Sequence, residues 1–289
     1  MTLHVHDAHP PPEAPRVAEA ATDRPRADAT VAPAAGPRRR LPPAARAVSP
    51  LAILALWAVV TESGAVDPLV LPSPRTVAAA GWRVATDGTL PAALGVSLER
   101  ATVGLAVGLV VGLAAGVAVG LSRVGEAVVD PPLQMLRTLP LLGLTPLLIL
   151  WTGIGETPKI ALVAIGSLFP VYLNTVAGIQ AVDPRLLEAG RSLGLGRGEL
   201  LRHVVLPSSL PQVLVGLRQA LGIAWISLIV GEQINASSGL GHLINDAREY
   251  LQTDVVLVGL VVYALLGLLT DGAVRILERK ALAWRSSNR

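Results

Sequence analysis

Residues 101–121 read ATVGLAVGLVVGLAAGVAVGL. No charge interrupts this run, and about 20 apolar residues carry a helix across about 30 Å of hydrocarbon. Gly104, Gly108, Gly112, Gly116 and Gly120 recur at every fourth position, and positions four apart share nearly one helical face. That face is free of side chains, so another helix can approach it closely, as small-residue stripes allow in membranes. The run therefore predicts a membrane span central to a bundle or a dimer.

Comparable apolar runs occupy residues 47–61, 133–152, 160–180, 212–232 and 255–274. With 101–121 they predict an all-α, polytopic membrane protein with about six transmembrane helices. The first run is short and extends toward Val66, which places Glu62 near the interface. Pro72, Pro74 and the mixed sequence around Trp82 predict an extended turn, then a short helix near the surface. Pro140 and Pro146 in the third run and Pro170 in the fourth each remove a helical hydrogen bond and kink the chain. Broken helices at membrane depth are buried or line a cavity. The third to fifth spans are therefore expected to line part of a translocation path.

Composition agrees: 52% of the 289 residues are hydrophobic and 16% charged, against about 25% charged in soluble domains. With no cysteine, disulfide, zinc-thiolate and Cys-nucleophile chemistry are excluded. Residues 1–46 differ, holding nine of the 23 prolines and seven arginines. They read as a disordered cytoplasmic tail, followed by a membrane domain over 47–289. His4, His6 and His9 on that tail are poorly organised for a metal, and no metal site is expected. Basic residues are uneven: with the N-terminus inside, inner segments hold 17 Lys and Arg and outer ones five, among them Arg100 and Lys159. Positive charge is retained on the cytoplasmic side, so both termini are expected there.

Enzymatic motifs are missing. Lys159 and Lys280 are the only lysines, and neither follows a glycine, so no Walker loop exists and this chain does not hydrolyse ATP by that route. Gly194-Leu195-Gly196 is followed by Glu199 where a dinucleotide fingerprint needs its third glycine. No His-Glu-x-x-His occurs. The spans carry few polar groups, Arg137, Asn174, Arg218, Glu232 and Asp271, so no catalytic residue and no bound cofactor are assigned. An ion-coupled secondary transporter would show inverted repeats and intramembrane acids; Glu232 and Asp271 fall near span ends, and no repeat is visible.

The segment between the fourth and fifth spans is the most informative. Asp183-Pro184 is a helix start, with Asp as N-cap and Pro at the first turn. The helix is expected to run through Leu193 and stop at Gly194, whose φ freedom allows a sharp reversal. A second short helix then runs from about Gly198 until Pro207 ends it. Leu186, Leu187, Leu193, Leu195, Leu200, Leu201, Val204 and Val205 make the pair apolar. Its own spans can cover that surface, or the elbow is a knob suited to a partner's groove.

The run Glu188-Ala189-Gly190, then Gly194, then Val204-x-Leu206-Pro207 resembles the EAA loop of binding-protein-dependent ABC importer permeases. Gly190 replaces that motif's second Ala, and Val204 its Ile. Gln134–Pro140, Leu148–Ile154, Leu168–Tyr172 and Ala247–Val255 are similar to the permease subunit of aliphatic sulfonate importers over residues 50–285. Closely similar permeases serve taurine, nitrate, bicarbonate or thiamine-precursor uptake. The resemblance implies a type I (MetI-like) ABC importer permease fold in a bacterial cytoplasmic membrane, with a five-span core over 95–280 and a coupling loop over 183–207. It implies a homodimer of permeases in membrane lipid, an ABC ATPase dimer beneath and an extracytoplasmic solute-binding protein, with no nucleic acid. ATP-Mg is used by the ATPase alone. Glu188, Ala189, Gly190, Leu193, Gly194, Leu206 and Pro207 carry the coupling role by this resemblance, as a stiff lever locked by Glu188 and by packing of Leu193. Glu188 is expected to bond its own loop or the ATPase. Arg137, about 7 Å inside the cytoplasmic edge of its span at 1.5 Å per residue, either snorkels or meets an anionic substrate. Arg218 has the same two readings, and Asn174 faces the path or bonds between helices.

Overall fold

The computed structural model describes residues 43–234 and 236–283; residues 1–42 of the expected tail, with its histidines, lie outside them, and its last four residues are the first of α1. The chain divides into two units, Met1–Ser49 and Pro50–Arg289. Eleven α-helices are described: α1 Pro43–Glu62, α2 Pro74–Thr86, α3 Thr89–Leu121, α4 Arg123–Arg137, α5 Leu141–Thr152, α6 Glu156–Gln180, α7 Pro184–Ser192, α8 Arg197–Leu200, α9 Leu206–Gln233, α10 Leu240–Glu249 and α11 Thr253–Ala281. A π-helical turn, Leu201–Val205, joins α8 to α9. No strand occurs among the described residues.

Four stretches are long and apolar enough to cross a membrane: α3, α6, the continuous run Arg197–Gln233, and α11. They contain four of the six expected spans. The expected span 133–152 is not one helix: α4 and α5 meet at a 103° bend. Pro140 lies in that break with extended backbone (ψ 122°); it has no N–H to continue α4's ladder, and the residue before a proline is steered out of the helical region. The first expected span falls in α1, whose apolar part Val48–Glu62 is shorter than the four. The short helix expected near Trp82 is α2, with Ser73 capping Thr76 N–H at 3.2 Å. Ahead of α3, the Asp87 carboxylate accepts the Thr89 backbone N–H at 2.9 Å, and this bond holds it below the usual carboxylate range.

The glycine face of α3 lies on α6 of the same chain. A Cβ built at Gly104 would stand 2.8 Å from the Ile160 carbonyl oxygen, at Gly108 2.6 Å from that of Ala164, and at Gly112 2.7 Å from that of Leu168. These partners are backbone and cannot step aside. Gly116 meets the Thr175 side chain and the Tyr172 carbonyl oxygen, and Gly120 the Ile179 side chain. The other flank of α6 is covered by α9 and α5, so α6 is the central post, with Leu162, Val163 and Val171 wholly buried. The aromatic edge of Trp225 against Tyr263, centroids 6.4 Å apart, adds α11 to the bundle.

These distances order the glycines by cost. Gly112→Ala forces a methyl into a carbonyl, and overpacking of this kind costs about 1–3 kcal/mol; Gly222→Ala meets nothing within 4 Å. Thermal melts of detergent-solubilised protein should fall clearly for the first and stay put for the second.

Candidate functional site

The 183–207 segment begins as expected. The Asp183 carboxylate accepts the Arg185 N–H at 2.9 Å, and α7 ends at an elbow where Gly194 has φ +83°. Gly194 N–H reaches the Arg191 carbonyl at 2.9 Å and Leu195 N–H the Gly190 carbonyl at 3.1 Å, closing the C-terminal carbonyls of α7. The Glu199 carboxylate reaches back to Gly196 N–H at 2.8 Å, which fixes the start of α8. Nothing lies within 4 Å of a Cβ at Gly194, so glycine is needed there for backbone conformation alone. At Gly190 the reverse holds: a Cβ would stand 2.6 Å from Leu200 Cδ2, the mobile tip of a side chain. Gly190 thus lets α7 close on Leu200.

Two expectations about this segment are corrected. Pro207 does not end the second helix: α8 runs through the π turn into α9, with Leu206 N–H bonded to the Leu201 carbonyl. One extra residue per turn makes room for a proline whose N–H is missing and whose ring would strike the preceding turn. Leu193 does not pack; it is 82% exposed, because Gly194 reverses the chain and leaves Leu193 on the outer side of the elbow. Glu188 is also exposed, and its carboxylate has no bond to its own loop among the described residues. What anchors the elbow is the inner face: Val182 and Val205 bury against Ile179 of α6, with Leu187, Leu201 and Val204 around them.

The three candidate pathway residues are not gathered at one point. Arg137 is the last residue of α4, at the break and exposed, rather than inside a continuous span. It lines a cavity of about 320 Å³ with Leu144, Phe169, Gln219 and Ile223. Asn174 is buried on α6 and bonds Gln219 at 2.9 Å and Gln212 at 2.8 Å, so it borders that cavity only through Gln219. Arg218 turns the other way, to α11, where it pairs with Glu278 and, at 3.3 Å, with Asp271. Tyr172 of α6 hydrogen-bonds Asp130 of α4, which ties the otherwise unburied α4 to the post. No group of three or more His, Asp or Glu suited to a metal occurs among the described residues.

A charged cluster escaped the sequence reading. Arg100 and Glu232 are each 1% exposed and 2.7 Å apart. By sequence Arg100 belongs to an outer segment, but α3 begins at Thr89 and carries it into the bundle; Lys159, in an outer segment by the same pattern, is buried on α6. The Glu232 carboxylate also accepts Ser97 Oγ at 2.7 and 2.9 Å, Gly241 N–H at 2.8 Å and Tyr263 OH at 3.1 Å. Arg100 further reaches Glu156 at 2.8 Å and the Ser238 carbonyl at 2.7 Å. One carboxylate therefore joins α3, α9, α10 and α11, and one guanidinium adds α6. The loop wraps so closely that a Cβ at Gly239 (φ +106°) would stand 2.3 Å from Glu232 Oε1, and one at Gly241 2.5 Å from Glu232 Cβ. Glu232 followed by Gly239-x-Gly241 was the available signal. Removing one member of a buried pair costs about 3–5 kcal/mol, while replacing both by apolar groups costs far less. Arg100→Met and Glu232→Leu should each lower the melting temperature more than the double variant does, giving a strong coupling in a double-mutant cycle.

Residues 108–282 match the family model described as binding-protein-dependent transport system inner membrane component. The chain is 50% identical over 81% of its length, and 89% of the relative's, to the putative aliphatic sulfonates transport permease protein SsuC of Escherichia coli strain K12. It is 42% identical, over 82% of the chain and 86% of the relative, to the protein of the same name in Bacillus subtilis strain 168. Identity is 36%, over 80% and 86%, to the taurine transport system permease protein TauC of E. coli K12. A solved structure titled as an amino acid ABC transporter with histidines superposes with a TM-score of 0.56 at 23% identity, covering 65% of this chain and 92% of that one. That likeness concerns the fold. The glycine-packed helical bundle, its elbow and the match over 108–282 place this chain in the family of integral inner-membrane components of binding-protein-dependent transport systems.

Proposed function

We propose that this chain is the permease of an ABC importer for aliphatic sulfonates, working with a separate ATPase and an extracytoplasmic binding protein. The observation that carries the substrate is the 50% identity to the E. coli SsuC permease over nearly the whole of that protein. In this reading residues 47–289 form the permease domain, two copies form the pore in membrane lipid, and residues 1–46 are a cytoplasmic tail. The uneven distribution of Lys and Arg supports cytoplasmic termini, which puts the 183–207 elbow on the ATPase side.

The coupling role of Glu188, Ala189, Gly190, Leu193, Gly194, Leu206 and Pro207 draws support from the elbow's form. Exposed Leu193 and Leu186 (51% exposed) and the unbonded Glu188 carboxylate stand ready for a partner groove. The inner face is packed, so a push on the elbow moves the helices rather than deforming the loop. ATP-Mg acts on the ATPase, and this chain supplies the path and the lever. Arg137, Asn174 and Arg218 are the pathway candidates, Arg218 pairing with Asp271 and Glu278 of α11.

Two experiments test this. In a strain lacking its sulfonate permease, the wild-type chain expressed with its ATPase and binding protein should restore growth on 1-butanesulfonate as sole sulfur source. A left-handed conformation costs a non-glycine residue about 1–2 kcal/mol, and a β-branched one more. Gly194→Val should therefore cut uptake at least tenfold while insertion and ATP hydrolysis persist; Gly190→Ala should transport normally, since only the tip of Leu200 must move. Normal uptake by Gly194→Val would refute the lever. Because the chain has no cysteine, sidedness can be read without background: Ser192→Cys should react with an impermeant maleimide only in inverted vesicles, and Thr86→Cys only in right-side-out ones.

A further inference from the structure

Asn174 Nδ2 lies 2.8 Å from the Pro170 carbonyl oxygen. That oxygen only accepts, so the side-chain atom facing it is the amide nitrogen. Its second proton points to Gln219, 2.9 Å away, which must therefore turn its oxygen toward Asn174. The Asn174 oxygen in turn accepts from Gln212 Nε2 at 2.8 Å. One backbone carbonyl thus orients three amides. Gly216 holds the arrangement closed, because a Cβ there would stand 2.8 Å from Asn174 Cβ and 3.0 Å from the Pro170 oxygen.

The consequence appears in the 320 Å³ cavity that Gln219 lines. With its oxygen engaged, Gln219 keeps its NH2 group without a partner among the described residues. Arg137 lines the same cavity and carries no ion pair among them. Both groups only donate, and the guanidinium is permanently charged. The walls, Leu139, Leu144, Phe169 and Ile223 among them, are apolar. The cavity is within the usual size for small ligands. A cation finds no side-chain acceptor in this pairing, and a bare inorganic oxyanion would lose its hydration to hydrocarbon walls with little return.

We propose that this cavity is a binding site for an oxyanion bearing an alkyl chain, with Arg137 and Gln219 holding the head group and the apolar walls holding the chain. Asn174 is a positioning residue that sets which end of Gln219 faces the ligand. The proposal deepens the sulfonate reading and rests on it for the choice of head group.

The test uses full-length permease in nanodiscs, with radiolabelled 1-butanesulfonate as probe. Binding should be saturable, and competition should improve roughly threefold to fourfold per added methylene from methanesulfonate upward, with inorganic sulfate weak and butylammonium inert. Arg137→Gln and Gln219→Glu, both at exposed positions, should weaken binding at least tenfold with unchanged melts. Asn174→Asp accepts where Asn donates and turns the Gln219 oxygen into the cavity. It should lower affinity for every chain length alike and, in cells, raise KM with little change in kcat. Absence of saturable binding, sulfate competing as well as butanesulfonate, or wild-type binding by Gln219→Glu would each overturn the site. The two readings fail separately. Wild-type-like cellular uptake by both Arg137→Gln and Gln219→Glu removes the site and leaves the importer, while binding by purified permease without any sulfonate uptake removes the importer and leaves the site.

Discussion

Five glycines on one face of α3 let α6 approach until a Cβ would collide with its backbone carbonyls at Gly104, Gly108 and Gly112. In lipid no hydrophobic force drives helices together, so packing of this closeness is what association has to work with. The rest of the molecule is placed by it. α6 becomes a post whose first turn holds Glu156 against Arg100, whose middle holds Asn174 against α9, and whose last turn, at Ile179, receives the elbow's inner face. Moving α6 away from α3 would disturb all three sites together.

A second constraint acts on the polar groups. Unpaired donors and acceptors at membrane depth cost several kcal/mol each, and the bundle meets this with concentrated, fully bonded clusters. Glu232 takes bonds from Ser97, Arg100, Gly241 and Tyr263, and Asn174 uses both amide protons and its oxygen. Each cluster is possible only because a glycine, Gly239 and Gly241 in one and Gly216 in the other, lets backbone or a neighbouring helix come within reach of the side chain. The buried hydroxyls of Thr145, Ser167 and Ser227 have no partner among the described residues, and Arg137 and the Gln219 NH2 group also depart from this rule, both standing at the same cavity.

Local signals were readable where local physics decides. The glycine period of α3, the Asp183-Pro184 start and the Gly194 reversal each depend on a few neighbouring residues, and each is found where the sequence places it. Signals failed where distant chain decides. Arg100 looks like a loop charge because its partners, Glu156, Glu232 and Ser238, lie far along the chain. Pro207 looks like a terminator because a π turn that absorbs a proline leaves no compositional mark. Leu193 looks like core because it is leucine; its exposure follows from the direction in which the glycine turns the chain. The break in 133–152 was half legible, since Pro140 announces a kink but not a bend of 103°.

These placements bear on how a push at the elbow would travel in the coupling reading proposed above. Arg197–Gln233 is one helical run, about 55 Å long at 1.5 Å per residue, and it carries Gln219 along its length and Glu232 at its far end. A rod of that kind transmits a displacement at its Arg197 end, where it leaves the elbow, to the cavity and to the buried charge cluster without an intervening loop. Its weakest point is the π turn at Leu201–Val205, where hydrogen bonds are re-registered and Val205 packs against α6. The α4–α5 break gives Arg137 a different mounting: α4 has no buried residue, and is held at its start by Gly125 against Ala118 of α3 and further on by Asp130 to Tyr172 of α6. The two donors of the cavity therefore sit on elements of unequal stiffness, Gln219 on the rod and Arg137 on the freer helix, so relative motion of the two changes their separation and with it the grip on an anionic head group.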